Sequence, residues 1–154
     1  MSMTNEEGRR RDPDDRDQGR DKAKFADYIQ LHTTEGKVIT RADEKKILEE
    51  GLIRFGLDLR EAQGILLSTA VEHEIALVSH AEHHIDIYLE EVVKRRKISR
   101  KNFNKAVSLY RKMTKDVIPE TEIRSRVKQM VEHRGWSGKR RRWLFGSRRW
   151  FKKS

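Results

Sequence analysis

Residues 59–97 read LREAQGILLSTAVEHEIALVSHAEHHIDIYLEEVVKRRK, with no proline and one early glycine, Gly64. Leu67, Val71, Val78, Ala81, Ile85, Leu89 and Val92 recur through the stretch at helical spacing. At about 100° per residue they fall within roughly 80° of one another, so the pattern predicts an amphipathic helix with one apolar stripe. Read as a single helix it spans roughly 55 Å at 1.5 Å per residue, long for a globular protein, and a break is expected near Ser79. The remaining segments are those that cover the stripe or hang from its ends.

On the N-terminal side, Asp58 is placed to cap the stretch, with Glu61 three residues on in capping-box spacing. Before it, Thr40 starts a helix whose buried face is Ile47, Leu48, Leu52 and Phe55, and Gly56 ends it. A shorter helix is expected from about Lys22, with Phe25, Tyr28, Ile29 and His32 on one side, stopping at Glu35-Gly36. Residues 1–24 alternate Arg and Asp around Pro13, with no apolar residue from Gly8 to Lys22, and are expected to be disordered.

On the C-terminal side, Lys94-Arg95-Arg96-Lys97 suits the negative end of a helix dipole. Ser99 caps a helix with Phe103, Ala106, Val107 and Tyr110 inside. Pro119 opens the last core helix, which carries Ile123, Val127, Met130 and Val131 to Gly135. The expectation is an all-α fold, a bundle of about five helices over residues 25–134, with a basic, aromatic tail at 135–154.

Two short matches suggest an internal repeat. Ile39-Thr40-Arg41 answers Ile98-Ser99-Arg100 at an offset of 59, and Val71-Glu72-His73 answers Val131-Glu132-His133 at 60. Chance sharing of caps between two helix pairs would produce similar matches; a true repeat would pack two helix pairs face to face around one core. The layout over residues 25–134 resembles the all-helical tellurite-resistance TerB-like domains, which are similar in outline to paired EF-hands. The residues that carry it are Val38-Ile39-Thr40-Arg41-Ala42-Asp43-Glu44, Gly56-Leu57-Asp58-Leu59-Arg60-Glu61-Ala62 and Lys97-Ile98-Ser99-Arg100. The acidic cation-binding positions of that family have no counterpart here, and no D-x-[DN]-x-[DN]-G loop occurs. The resemblance implies a fold rather than an activity.

The absence of cysteine excludes a disulfide framework, a thiolate nucleophile and a zinc–thiolate site. No run approaches the roughly 18 apolar residues of a spanning helix, and MSMTNEEGRRRDPDDRD has no apolar signal core, so a soluble, cytoplasmic protein is expected. The net charge of +10 is unevenly spread. Residues 1–93 hold 13 Lys/Arg against 21 Asp/Glu, a balance of −8, and residues 94–154 hold 22 against 4, a balance of +18.

Four of the six histidines lie between Glu72 and Asp86. His73, His80 and His84 are expected on one face away from the apolar stripe. Of these, only His80 and His84, four residues apart, have spacing for one metal ion. No third ligand is identifiable, and a solvated histidine face is the ordinary alternative, so no cofactor is expected. Glu74 falls on the stripe between Val71 and Val78; a carboxylate there must be paired, hydrogen-bonded or protonated. With no nucleophile elbow, phosphate-cradling glycine loop or spaced carboxylate pair, a structural role is expected for it, and no enzymatic activity for the chain.

All three tryptophans, Trp136, Trp143 and Trp150, lie in the last 19 residues at seven-residue spacing. Around them stand Lys139, Arg140, Arg141 and Arg142, then Phe145, Arg148 and Arg149, and finally Phe151, Lys152 and Lys153. Basic clusters interleaved with aromatics suit an anionic membrane surface, where Trp favours the headgroup zone, or nucleic acid, where bases stack on rings. A tail folded back on the acidic front, of its own or of a second copy, is the ordinary alternative. Trp143-Leu144-Phe145 adds apolar bulk that stacking does not need, which tips the expectation toward lipid. The reading that follows is an interaction module, peripheral at the inner face of a membrane, whose helical core meets a protein partner. A metal-dependent activity on the histidine helix is the rival.

Overall fold

The stretch 59–97 is two helices. The computed structural model describes residues 13–33, 38–139 and 149–152, with side chains placed for 19–33, 38–139 and 150–151. In it, α3 (Leu59–Glu72) ends in a turn and a two-residue strand, β2 (Ala76–Leu77), before α4 (Val78–Val92) begins. The break is at 73–77, not near Ser79. Glu74 stands in the left-handed region at φ 55°. Glu74 N–H donates to Val71 O at 3.3 Å and Ile75 N–H to Ala70 O at 2.7 Å, the paired bonds that close a helix C-terminus. Glycine usually supplies this conformation; a glutamate does so here, which is why no break signal stands at that position.

The break also redirects the stripe. Val78, Ala81, Ile85 and Leu89 of α4 are buried as expected. In α3 the inner face is Ala62, Leu66, Thr69 and Ala70 instead, and Leu67 and Val71 turn to solvent at 46% and 80% exposure. Glu74 is therefore off any buried stripe: its carboxylate is exposed and pairs with Lys115 at 3.3 Å.

The other elements are α1 (Pro13–Thr33), β1 (Val38–Ile39), α2 (Arg41–Ile53), β3 (Lys97–Ile98), α5 (Arg100–Met113), α6 (Glu120–His133), β4 (Ser137–Gly138) and α7 (Arg149–Lys152). The fold is all-α, its strands no more than two-residue bridges. The three expected side-chain caps are present: Thr40 accepts from Asp43 N–H, Asp58 from Glu61 N–H with the reciprocal bond completing the box, and Ser99 from Asn102 N–H. Pro119 sits one residue ahead of α6, at its cap.

Helix α1 corrects the N-terminal expectation. It begins at Pro13, so residues 13–24 are helical rather than disordered; residues 1–12 and the expected stop at Glu35-Gly36 lie outside the described residues. Its anchors are Phe25 and Ile29, both fully buried among Ile39, Ile47, Leu57, Ala62 and Leu66. Burying side chains of this size contributes about 1.5–3 kcal/mol each, enough to hold a helix otherwise rich in charge.

The internal repeat is structural, and it extends over strand, helix, helix and strand. β1 and α2 correspond to β3 and α5 at an offset of 59, and α3 and β2 to α6 and β4 at 61. The shift of two arises because α5 has 14 residues to the 13 of α2, and the connection 114–119 is one longer than 54–58. In each copy the strands pair in parallel, Val38 with Ala76 and Ile39 with Leu77, then Lys97 with Ser137 and Ile98 with Gly138. Glu74 thus corresponds to Gly135, which has φ 67° and the same closing bonds.

The repeats do not share one core. The first half packs α1, α2 and α3 around Phe25, Ile29, Ile39, Ile47 and Leu66. The second packs α4, α5 and α6 around Ile85, Leu89, Phe103, Tyr110, Ile123 and Val127. The folded region also passes the expected limit at residue 134: β4 continues to Gly138, and α7 returns to the second core.

Candidate functional site

The cations of residues 94–101 meet the base of the C-terminal tail. Val93 leaves α4 in extended conformation. Lys94 and Lys97 then face each other through reciprocal backbone bonds of 3.2 and 3.0 Å, closing a turn over Arg95 and Arg96. Both arginines are left-handed, at φ 52° and 57°. Two positive-φ residues at the centre of a tight turn favour Asn-Gly strongly, because a Cβ there costs roughly 1–2 kcal/mol per residue. Arginine at both positions is a local strain of the kind that collects at functional surfaces.

The strand pairing holds the rest of the cluster. Ser137 N–H donates to Arg96 O at 3.0 Å, and Lys139 N–H to Ile98 O at 2.7 Å. Arg100 and Lys101 open α5, whose first turn has no acid, whereas α2 carries Asp43 and Glu44 there and α6 carries Glu120 and Glu122. Cations at the positive end of a helix oppose its dipole. Lys94, Arg95, Arg96, Lys97, Arg100, Lys101 and Lys139 are all exposed, and none forms an ion pair among the described residues. Seven uncompensated positive charges on one end attract an anionic surface and repel one another without it.

The tail residues divide. Phe151 is buried at 6% exposure against Phe103, and a Cβ on Gly138 would lie 2.8 Å from the Phe151 Cβ, so the glycine admits α7. Trp150 stacks edge-on to Phe103 and donates from Nε1 to Lys139 O at 3.2 Å. Trp136 packs on the same core with the Arg134 guanidinium 5.2 Å from its ring centre. These three aromatics, expected on the anionic-surface face, pack the tail against the second half, Phe151 buried and Trp136 and Trp150 partly buried. Lys139 stays on the exposed face, and Arg140, Arg141, Arg142, Trp143, Phe145, Arg148 and Lys153 lie outside the described residues, as do the side chains of Arg149 and Lys152.

The histidines divide too. His73 caps α3 on the far side of the break and lies 2.8 Å from Gln30 Nε2, so it shares no face with His80 and His84. Those two remain together on α4. Among the described residues, no group of three or more His, Asp or Glu is placed to hold a metal ion.

The acid that the stripe needs paired is Glu82, which the sequence pattern did not single out. It sits at the edge of the buried face of α4, next to Ala81, with its side chain only 14% exposed. Arg41 donates to one carboxylate oxygen; Tyr110 Oη, at 3.3 Å, and Arg126 Nη1, at 3.1 Å, donate to the other. Glu82 thereby joins the first half, through Arg41, to the second. Burial, with the Glu82 charge beside it, pushes the Tyr110 hydroxyl up to about 12. Glu82 lines an open cleft of about 960 Å³ between α4 and α6, but the arginines there are already paired: Arg41 with Glu82, Arg126 with Glu82 and Glu122, Arg134 with Asp86 and Glu90.

No protein-family model, curated protein or solved structure matches this chain. No helix among the described residues is long and apolar enough to cross a membrane.

Proposed function

We propose that this protein is a non-enzymatic interaction module whose C-terminal half binds an anionic surface, with membrane lipid the favoured partner. The observation that supports it most is the strained Arg95-Arg96 turn among seven exposed cations that form no ion pair among the described residues. Stability alone favours Asn-Gly in that turn, and acids at the start of α5. The apolar component of binding is assigned to Trp143, Leu144 and Phe145, because Trp136, Trp150 and Phe151 are engaged in packing. The TerB-like resemblance belongs to the same proposal, as an account of the helical scaffold.

The test compares wild-type protein with Arg95→Asn/Arg96→Gly in vesicle flotation and a gel shift. The double variant relieves the turn, so it should unfold at a higher denaturant concentration. It should also bind anionic vesicles more weakly, at about 1 kcal/mol per basic residue, or roughly 30-fold for the pair. Neutral vesicles should bind poorly in either case. Trp143→Ala/Phe145→Ala should remove the salt-resistant part of binding, since apolar burial is not screened. If nucleic acid binds instead, with affinity falling linearly in log–log salt plots, the partner is nucleic acid. Unchanged binding in both variants refutes the surface.

A further inference from the structure

His80 and His84 stand one helical turn apart on α4, both exposed. Their Nε2 atoms are 3.3 Å apart, and their ring centres are 4.6 Å apart at 89°. Imidazole binds a divalent transition ion at about 2.0–2.1 Å, and at that length a 3.3 Å separation subtends roughly 104–111° at the metal, bracketing the tetrahedral angle. The spacing that serves as a ring-to-ring hydrogen bond in the free protein is thus the spacing of two ligands on one ion.

The scaffold beneath the pair is held. Val78, Ala81, Ile85 and Leu89 bury the opposite face of the same two turns, so the ring-bearing backbone is fixed before any ion arrives. Three acids of this helix are committed elsewhere, Glu82 to Arg41, Tyr110 and Arg126, and Asp86 and Glu90 to Arg134; Glu91 lies two turns beyond His84. A donor set of two imidazoles without carboxylate selects borderline ions such as zinc, nickel or copper(II) over calcium or magnesium.

We propose that His80 and His84 form an open, two-ligand site for a divalent transition-metal ion. The remaining coordination positions are filled by water or by a donor of a molecule docked on α4. His73, across the helix break and beside Gln30, takes no part. The site is independent of the cationic end.

The tag-free full-length chain is titrated with zinc, nickel and copper(II) salts by calorimetry. The expected result is one ion per chain, lost in His80→Ala and in His84→Ala and retained in His73→Gln. The ion should raise the melting temperature of the wild-type protein and leave that of the two alanine variants unchanged. With copper(II), the electron paramagnetic resonance spectrum should show nitrogen coupling that disappears in either variant. Both rings are exposed, and circular dichroism checks that the variants stay folded. No binding, binding that survives both alanine changes, or an equal loss in His73→Gln overturns the assignment.

Discussion

Replacing Glu82 by alanine removes a carboxylate bonded to residues of both halves, and the cost can be worked from its partners. Tyr110 has no solvent exposure, so its hydroxyl loses its acceptor without gaining water, which costs about 1–3 kcal/mol. Arg126 keeps Glu122 at 2.8 Å, and Arg41 is 65% exposed; each of those losses is about 0–1 kcal/mol. The expected destabilisation is about 1–5 kcal/mol, most of it from the tyrosine hydroxyl. Urea unfolding followed by circular dichroism measures it. A double-mutant cycle with Tyr110→Phe isolates the hydroxyl: the phenylalanine change should cost about 1 kcal/mol alone and nothing, or even gain stability, once Glu82 is gone, because the orphaned hydroxyl goes with it. If Glu82→Ala unfolds within about 0.5 kcal/mol of wild type, or Tyr110→Phe costs the same in both backgrounds, the carboxylate does not link the halves as described.

Ile85→Ala and Leu89→Ala should each cost about 2–5 kcal/mol, and Val71→Ala on the exposed face of α3 under about 0.5; thermal melts that rank Val71 with the other two would contradict the two-helix division. Glu74→Gly should stabilise by about 0.5–1 kcal/mol, by freeing a left-handed position from its Cβ, and Gly135→Ala should lose a similar amount. The folded value of Tyr110 lies above its unfolded value of 10.0, so the associated stability is present below pH 10 and is lost as pH climbs toward 12. The slope is roughly 1.4 kcal/mol per unit over that window, and tyrosinate absorbance with Tyr110→Phe as control should assign it.

Much of the fold was legible in local chemistry. Thr40, Asp58 and Ser99 announce helix starts because a short polar side chain satisfies free N–H groups wherever it stands. The inner faces of α4 and α5 follow from helical spacing alone, since Ala81, Ile85 and Leu89 meet the same core as Phe103, Ala106, Val107 and Tyr110. Helix-pair repetition was visible in one tripeptide, Ile39-Thr40-Arg41 answering Ile98-Ser99-Arg100 at 59; the match at 60 is a chance one, a residue out of the register of 61 that the closing helices keep. The basic run at 94–97 and the tail were equally plain as composition.

What escaped depends on contacts between distant residues. A glutamate rather than a glycine closes α3, and the β1–β2 pairing helps hold the chain extended after it, so one apolar stripe became two faces pointing different ways. Helix α1 docks on the first core through Phe25 and Ile29, a gain that composition does not register. Glu82 rather than Glu74 became the acid paired at the edge of a buried face because Arg41, Tyr110 and Arg126 converge on it from three helices. Tertiary packing seats α7: Gly138 leaves room for Phe151, and Trp150 closes on Lys139. Helix starts, inner faces and charge are properties of neighbours in sequence. Partner choice, the direction of a face and the seating of α7 depend on residues brought together only by folding.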